Sequence, residues 1–424
     1  MRAVRLFIWI ASALVMAACG NQVSEDNYYV IDGVSLASES RVMAVGDTAV
    51  MKAILHPYEI VLTDDVIWAK DLAGSVFWKS DNERVAVVDA KGVVTAVGPG
   101  SCTVSVICGL YKGSCKVVVR QFDMEKLYGL WELSGDSILV DFNGDCYLNG
   151  YRCSLDFDGM RFSLLDGTDI LFKMNLVSVA DNTVEYMLES DEKEICHIME
   201  RAAYSLTADE LLDKAVAVAS GNDSLVMAVN MELSVNKLWA VANLGASSAE
   251  NAGLHFSWAE TKTKSKYILD TYKWYNAKTG DLTKYIDCKV PYGYNLESGD
   301  DAAEVLLGEG WSVPTGADVK ALLSECGMMW ACLNDVEGVL YVNRRLGIGG
   351  PKLFLPLKGT YYGESKKNNG SYISGAYWTS SYSAQNASLA NYLGLTLTNS
   401  RIEGEMGETY RYNGISIRPV YNNQ

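Results

Sequence analysis

The stretch Gly92-Val93-Val94-Thr95-Ala96-Val97-Gly98-Pro99-Gly100-Ser101-Cys102-Thr103-Val104-Ser105-Val106-Ile107-Cys108 decides the fold class of the N-terminal third. Apolar and polar residues alternate on both sides of a Gly-Pro-Gly turn, which is the period of a half-buried strand and not of a helix. That alternation places Cys102 and Cys108 on an inward face. After the turn Gly109 to Gly113 the pattern resumes in Cys115, Val117 and Val119. Turn signals every eight to twelve residues over positions 31–120 predict an antiparallel sandwich. The cysteines read as small core residues, with a Cys108–Cys115 bridge across the hairpin left open.

The chain has 424 residues, 49% hydrophobic and 21% charged, which is globular and long enough for several domains. Its net charge of −16 has the wrong sign for phosphate binding, so nucleic acid is excluded as a default partner. Only His56, His197 and His255 are present, no C-x-x-C occurs, and the Asp141-Phe142-Asn143-Gly144-Asp145 run lacks the Gly and Glu that a calcium loop needs at its sixth and twelfth positions. No metal and no cofactor are expected. Neither a GxSxG, a P-loop nor an HExxH is present, so the chain reads as a non-enzyme with no catalytic residues.

Residues 1–18 combine Arg2 and Arg5, an apolar run Leu6 to Met16 and small residues before Cys19, a secretory signal too short to span a bilayer. Met16-Ala17-Ala18-Cys19 resembles the lipobox of bacterial lipoproteins. The resemblance implies a diacylglyceryl Cys19, palmitate attachment, a tether over 19–30 and anchoring in the outer membrane of a Gram-negative cell, surface-exposed.

Across residues 31–120, Val45-Gly46-Asp47, Phe77-Trp78-Lys79-Ser80-Asp81, Val85-Ala86-Val87-Val88-Asp89 and Gly100-Ser101-Cys102-Thr103-Val104 occur in an order that resembles the bacterial Ig-like group 2 domain. That resemblance implies a spacer or adhesive module, with Leu62 to Gly74 as an extended loop or extra hairpin. Residues 121–204 open with Leu127-Tyr128-Gly129-Leu130-Trp131, similar to small lipocalin-like domains. Asn143-Gly144 and Asn149-Gly150 predict primed hairpin turns in an up-and-down meander, although the length looks short of eight full strands. Residues 205–224 read as a linker, with a helix over Leu206 to Val218 started by Thr207 and Glu210, then a hinge at Gly221-Asn222-Asp223-Ser224.

In residues 225–424, Trp239-Ala240, Phe256-Ser257-Trp258-Ala259-Glu260, Gly310-Trp311-Ser312-Val313-Pro314-Thr315, Tyr377-Trp378-Thr379-Ser380-Ser381 and Ile417-Arg418-Pro419-Val420 together resemble the Fibrobacter-type major paralogous domain, of C-type lectin-like fold. Thr315 and Asp318 are placed to cap a helix over Gly316 to Cys326. Arg418 is expected to pair with an acid such as Glu260 or Asp301. The related oxidases of this broad fold need two reactive thiols, for which Cys326, assigned to the helix, and Cys332 are poor candidates. This region holds 16 of the 25 Tyr and 6 of the 10 Trp. Tyr361, Tyr362, Tyr372 and Tyr382 fall in Gly/Ser/Asn-rich loops and are the candidate ligand-binding residues, while Tyr377 reads as core. The expectation is a multidomain, mainly β lipoprotein acting as an adhesin for a glycan or surface protein. The alternatives are a structural or assembly component of an envelope or fimbrial system and, last, an envelope enzyme.

Overall fold

The computed structural model describes residues 33–56, 60–61, 76–190, 195–221, 223–286, 296–363, 365–367 and 373–422. Cys19, the Leu62–Gly74 stretch and Tyr372 lie outside them. The fold is mainly β and divides into two compact units. One holds the residues up to Asp123 with Phe157–Arg161, and the other holds Met124–Asp156 with the residues from Phe162 onward.

The first unit contains a sandwich. Gly100–Cys108 pairs with Tyr111–Arg120 as a hairpin, Val76–Ser80 adds to its other side, and Ser40–Ala44 joins Tyr111–Arg120 in parallel. Two three-stranded sheets, built on Ala53–His56 and Val93–Ala96, complete it. Cys102, Val104, Val106, Cys108, Cys115, Val117 and Val119 are all buried and pack with Met43, Leu55 and Val94, as alternation requires. Gly92 has φ +80°, and a Cβ there would lie 2.6 Å from the Trp78 ring, so this turn needs glycine for both conformation and space. The register removes the Cys108–Cys115 bridge. Cys115 faces Val104, four residues from Cys108, or roughly 13 Å along the strand against the ~7 Å limit for bridged Cα atoms. Both are free thiols.

Residues 129–202, which belong to the second unit except for Phe157–Arg161, form eight strands in sequential up-and-down order, closed by Gly129–Glu132 against His197–Ala202. The stretch is therefore long enough for eight strands, because its connections are tight. Asn149 (φ 50°) and Gly150 (φ 81°) make a primed turn. Asn143-Gly144 does not. There only Gly144 takes positive φ, Asn143 Oδ1 accepts the Asp145 N–H at 2.9 Å, and Asp145 pairs with Arg152 at 2.7 Å. Side chains of Trp131, Ile138, Phe162, Leu164, Met174, Leu176 and Val184 are wholly buried. Trp131 Nε1 donates to the Leu127 carbonyl at 2.7 Å, and the Arg201 guanidinium lies 4.2 Å from its ring centre.

Residues 205–224 are not a linker. Tyr204–Ser205 pairs in parallel with Cys326–Leu333, and Leu206 N donates to Cys332 O at 2.9 Å. The Thr207/Glu210 capping box forms, but its helix stops at Leu212. Ala215–Ala219 pairs with Leu225–Asn230 as a hairpin whose turn contains the expected hinge. The Ala-Val-Ala-Val-Ala run fits a strand as well as a helix, and a paired partner decides between them. Asp141 joins the barrel to the C-terminal region. It is buried, and its Oδ1 accepts from Phe142 N at 2.8 Å and its Oδ2 from Ile348 N at 2.5 Å. Phe142 covers Gly327, where any Cβ would collide with its ring.

The C-terminal region holds three larger sheets, with Lys237–Ala240 paired to Val420–Asn422 so that its two ends meet. Thr315 and Asp318 form the expected capping box for the helix Gly316–Glu325. Cys326 caps the helix, its N–H donating to Leu322 O, and also starts the next strand, along which Cys332 lies six residues on, roughly 20 Å away. Arg418 does not pair with an acid. Glu260 is taken by Lys264 Nζ and the Lys273 N–H, and Asp301 caps Ala302–Leu307 and accepts from Val313 N. Arg418, 1% exposed, donates instead to Asn243 Oδ1 (2.8 Å) and to the carbonyls of Ala240 (3.0 Å), Val241 and Phe354 (3.0 Å). Burial lowers its pKa to about 10, so it remains a cation at neutral pH.

Arg418→Met keeps the volume but leaves these acceptors without a donor, and it is expected to cost about 3–5 kcal/mol. Urea unfolding followed by Trp fluorescence should show the lower midpoint; an unchanged midpoint would contradict the role given to Arg418. Burial also pushes the Cys146 and Cys326 thiols up to about 12, whereas Cys196 is exposed. Iodoacetamide at mildly alkaline pH should label Cys196 in the native chain, and Cys146 and Cys326 only after unfolding, as read by peptide mass spectrometry.

Candidate functional site

The sheet made of His255–Phe256, Ile415–Ser416, Ile373–Tyr382, Leu389–Thr398 and Arg401–Tyr410 builds an open groove. In Leu389–Thr398, Leu393, Leu395 and Leu397 turn inward, which sends Tyr392, Gly394 and Thr396 to the opposite face. Register then fixes their neighbours. Thr396 lies between Ser374 and Glu403, Gly394 between Ala376 and Glu405, and Tyr392 between Trp378 and Gly407. In the middle row Ala376 and Gly394 carry almost no side chain, so they form a floor.

The groove encloses about 400 Å³ and is bordered by Thr360 and Tyr362 on one side and by Glu403 and Glu405 on the other. The Tyr392 ring is spread over the glycines. A Cβ on Gly407 would lie 2.8 Å from it and a Cβ on Gly394 3.1 Å, so bare backbone at both positions lets the ring lie flat on the sheet. Burial raises the Tyr392 pKa, and the nearby Tyr362 and Glu405 raise it further, keeping the hydroxyl neutral and able to donate. Glu403 is 3.5 Å from Arg401, while Glu405 makes no ion pair among the described residues. Two tyrosine rings, hydroxyls from Ser374 and Thr396 and two carboxylates around a flat floor offer ring contacts and hydrogen-bond acceptors to a polyhydroxylated ligand. Among the described residues, no group of three or more His, Cys, Asp or Glu is placed to hold a metal ion.

Of the sequence candidates, Tyr362 (37% exposed) borders this groove. Tyr361 points elsewhere. Its ring meets His255 edge-on at 4.8 Å and lies 5.6 Å from Tyr267, while its backbone exchanges two hydrogen bonds with Gly414. Tyr382 is corrected from a loop residue to a core one. It is 7% exposed, ends the strand Ile373–Tyr382 and packs between Trp258 (5.9 Å) and Tyr285 (6.3 Å) with Arg411 5.0 Å from its ring centre. Tyr377 is buried, with its hydroxyl on Pro356 O at 2.6 Å. Tyr392, Glu403 and Glu405 were missed. Alternation in 389–398 and the Glu-x-Glu of 403–405 place them on strand faces, but no local pattern pairs the two strands.

No curated protein matches the chain. Among solved structures, the S-layer protein SbsC is similar at 16% identity and a TM-score of 0.20, over 39% of this chain and 26% of that one, so the chain spans about a quarter of its length. Domains 5–6 of SbsC are similar at 15% identity and a TM-score of 0.18, over 47% of this chain and 90% of that one. A Quinonprotein alcohol dehydrogenase-like protein from Bacteroides thetaiotaomicron is similar at 8% identity and a TM-score of 0.13, over 91% of this chain and 97% of that one. At such TM-scores none of these bears on the fold or the function. Residues 31–119 match the family model of the bacterial Ig-like domain (group 2), the assignment that the order of motifs around Trp78 and Cys102 implies.

Proposed function

We propose that this chain is a non-enzymatic, lipid-anchored protein of the bacterial cell surface that binds a saccharide through the groove of its C-terminal domain. The groove between Tyr362, Tyr392, Glu403 and Glu405 is the observation that carries this reading. The Ig-like sandwich is its spacer, the barrel is lipocalin-like, and residues 225–424 are a C-type lectin-like domain of the Fibrobacter-type major paralogous kind. The paired ends of that domain and the helices Ala302–Leu307 and Gly316–Glu325 support the last assignment. Lipidation of Cys19 holds the acidic ectodomain at the outer membrane, since several acyl chains on one residue anchor stably where one does not. A second reading, an assembly component that docks another protein subunit, has one observation in its favour. Arg401–Tyr410 is a ten-residue strand at the end of its sheet, a template for strand addition.

On a glycan array, the mature chain is expected to give hits that weaken about tenfold or more in Tyr362→Ala/Tyr392→Ala and in Glu405→Gln, with unchanged circular dichroism. Hits that survive both variants would move recognition away from the groove, and capture of one envelope protein without glycan binding would select the second reading. Cys19→Ala should abolish incorporation of labelled palmitate; undiminished labelling would remove the anchor from this account.

A further inference from the structure

A second cleft, of about 540 Å³, opens within the second unit where the barrel meets the C-terminal domain. Its chemistry is opposite to that of the groove. Lys126 and Arg201 line it from the barrel side, Arg344 and Arg401 from the other, against only Glu125 and Asp181. This is a concentration of cations on a chain whose net charge is −16.

Three of the four cations form no ion pair among the described residues. Arg401 pairs with Asp181 at 3.2 Å, but Lys126 and Arg344 form no ion pair among the described residues. Arg201 is held by three neutral acceptors, the carbonyls of Asp181 (2.7 Å), Tyr128 (2.5 Å) and Lys126 (2.9 Å). These bonds fix its position without cancelling its charge, and they use three of its five N–H groups. Gly129 makes room for it, since a Cβ there would lie 2.6 Å from the guanidinium. The cleft is also aromatic. Arg344 lies 5.6 Å from the Phe142 ring centre, and Tyr128 and Trp330 add two more aromatic residues to the lining.

We propose that this cleft is a second binding site, for an acidic saccharide whose carboxylate or sulfate is held by Lys126, Arg201 and Arg344 and whose ring packs on the aromatic lining. The volume suits one or two sugar rings. Three cations around aromatic walls match a ligand with an anionic edge and an apolar C–H face better than they match a neutral sugar. Lys126 and Arg344 are exposed, so salt screens their attraction for the anion and binding weakens as salt rises.

The test is calorimetric titration of the full mature chain with a galacturonic acid trisaccharide, its methyl ester, a sulfated disaccharide and an acidic hexapeptide. The expected result is saturable binding of one or both acidic sugars, no binding of the methyl ester, and weakening as salt rises. Lys126→Ala/Arg344→Ala, both exposed positions, should lower affinity about tenfold or more. Trp330→Phe should lower it about threefold, and Tyr362→Ala/Tyr392→Ala should leave it unchanged, which separates this site from the groove. Failure of both acidic sugars to bind, full affinity in the double cation variant, or tighter binding of the hexapeptide than of either sugar would each overturn the proposal.

Discussion

Four oxygens from two separate stretches, Asn243 Oδ1 and the carbonyls of Ala240 and Val241 in one and the carbonyl of Phe354 in the other, converge on the Arg418 guanidinium inside the C-terminal domain. Carbonyls at strand ends lose water on burial and need donors. A planar cation with five N–H groups can serve several at once, where a lysine could not match the geometry. Arg418 thereby ties the end of Lys237–Ala240 to Lys352–Pro356, two strands of different sheets, and stands two residues before the strand that closes the domain on itself. The groove sheet is held to the same frame, because the Tyr377 hydroxyl bonds Pro356 O next to this junction.

Arg201 repeats the device at the barrel's closing pair of strands, collecting three carbonyls while lying against Trp131. The joint between barrel and C-terminal domain obeys the same logic with the sign reversed. Asp141 is buried and accepts two backbone N–H groups, and desolvation raises its pKa against the pull of those bonds. The strand Tyr204–Ser205 and the cover of Phe142 over Gly327 make this a continuous connection, so residues after the barrel lead straight into sheet and no hinge intervenes.

Local patterns carried much of the fold. Alternation around Cys102 gave the sandwich core, Asn149-Gly150 gave a hairpin, and both capping boxes formed where Thr207 and Thr315 precede an acid by three positions. Misreadings came where a local pattern had two solutions. Ala215–Ala219 suits helix or strand, and the loop-like composition around Tyr382 gave no hint that Trp258, Tyr285 and Arg411 would enclose it. The groove was half legible. Tyr362 was nominated by residue type, whereas Tyr392 and Glu405 became neighbours only through strand register.

By itself the sequence determined the mainly β, multidomain class, the Ig-like assignment of residues 31–119 and the aromatic-rich character of the C-terminal region, because periodicity, turn chemistry and composition are local properties. Tertiary structure alone decided which tyrosines face solvent, that Arg418 binds carbonyls and not an acid, and that Lys126, Arg201 and Arg344 share a cleft. Each of these depends on pairings between residues tens to hundreds of positions apart, and no local pattern encodes the register that sets them.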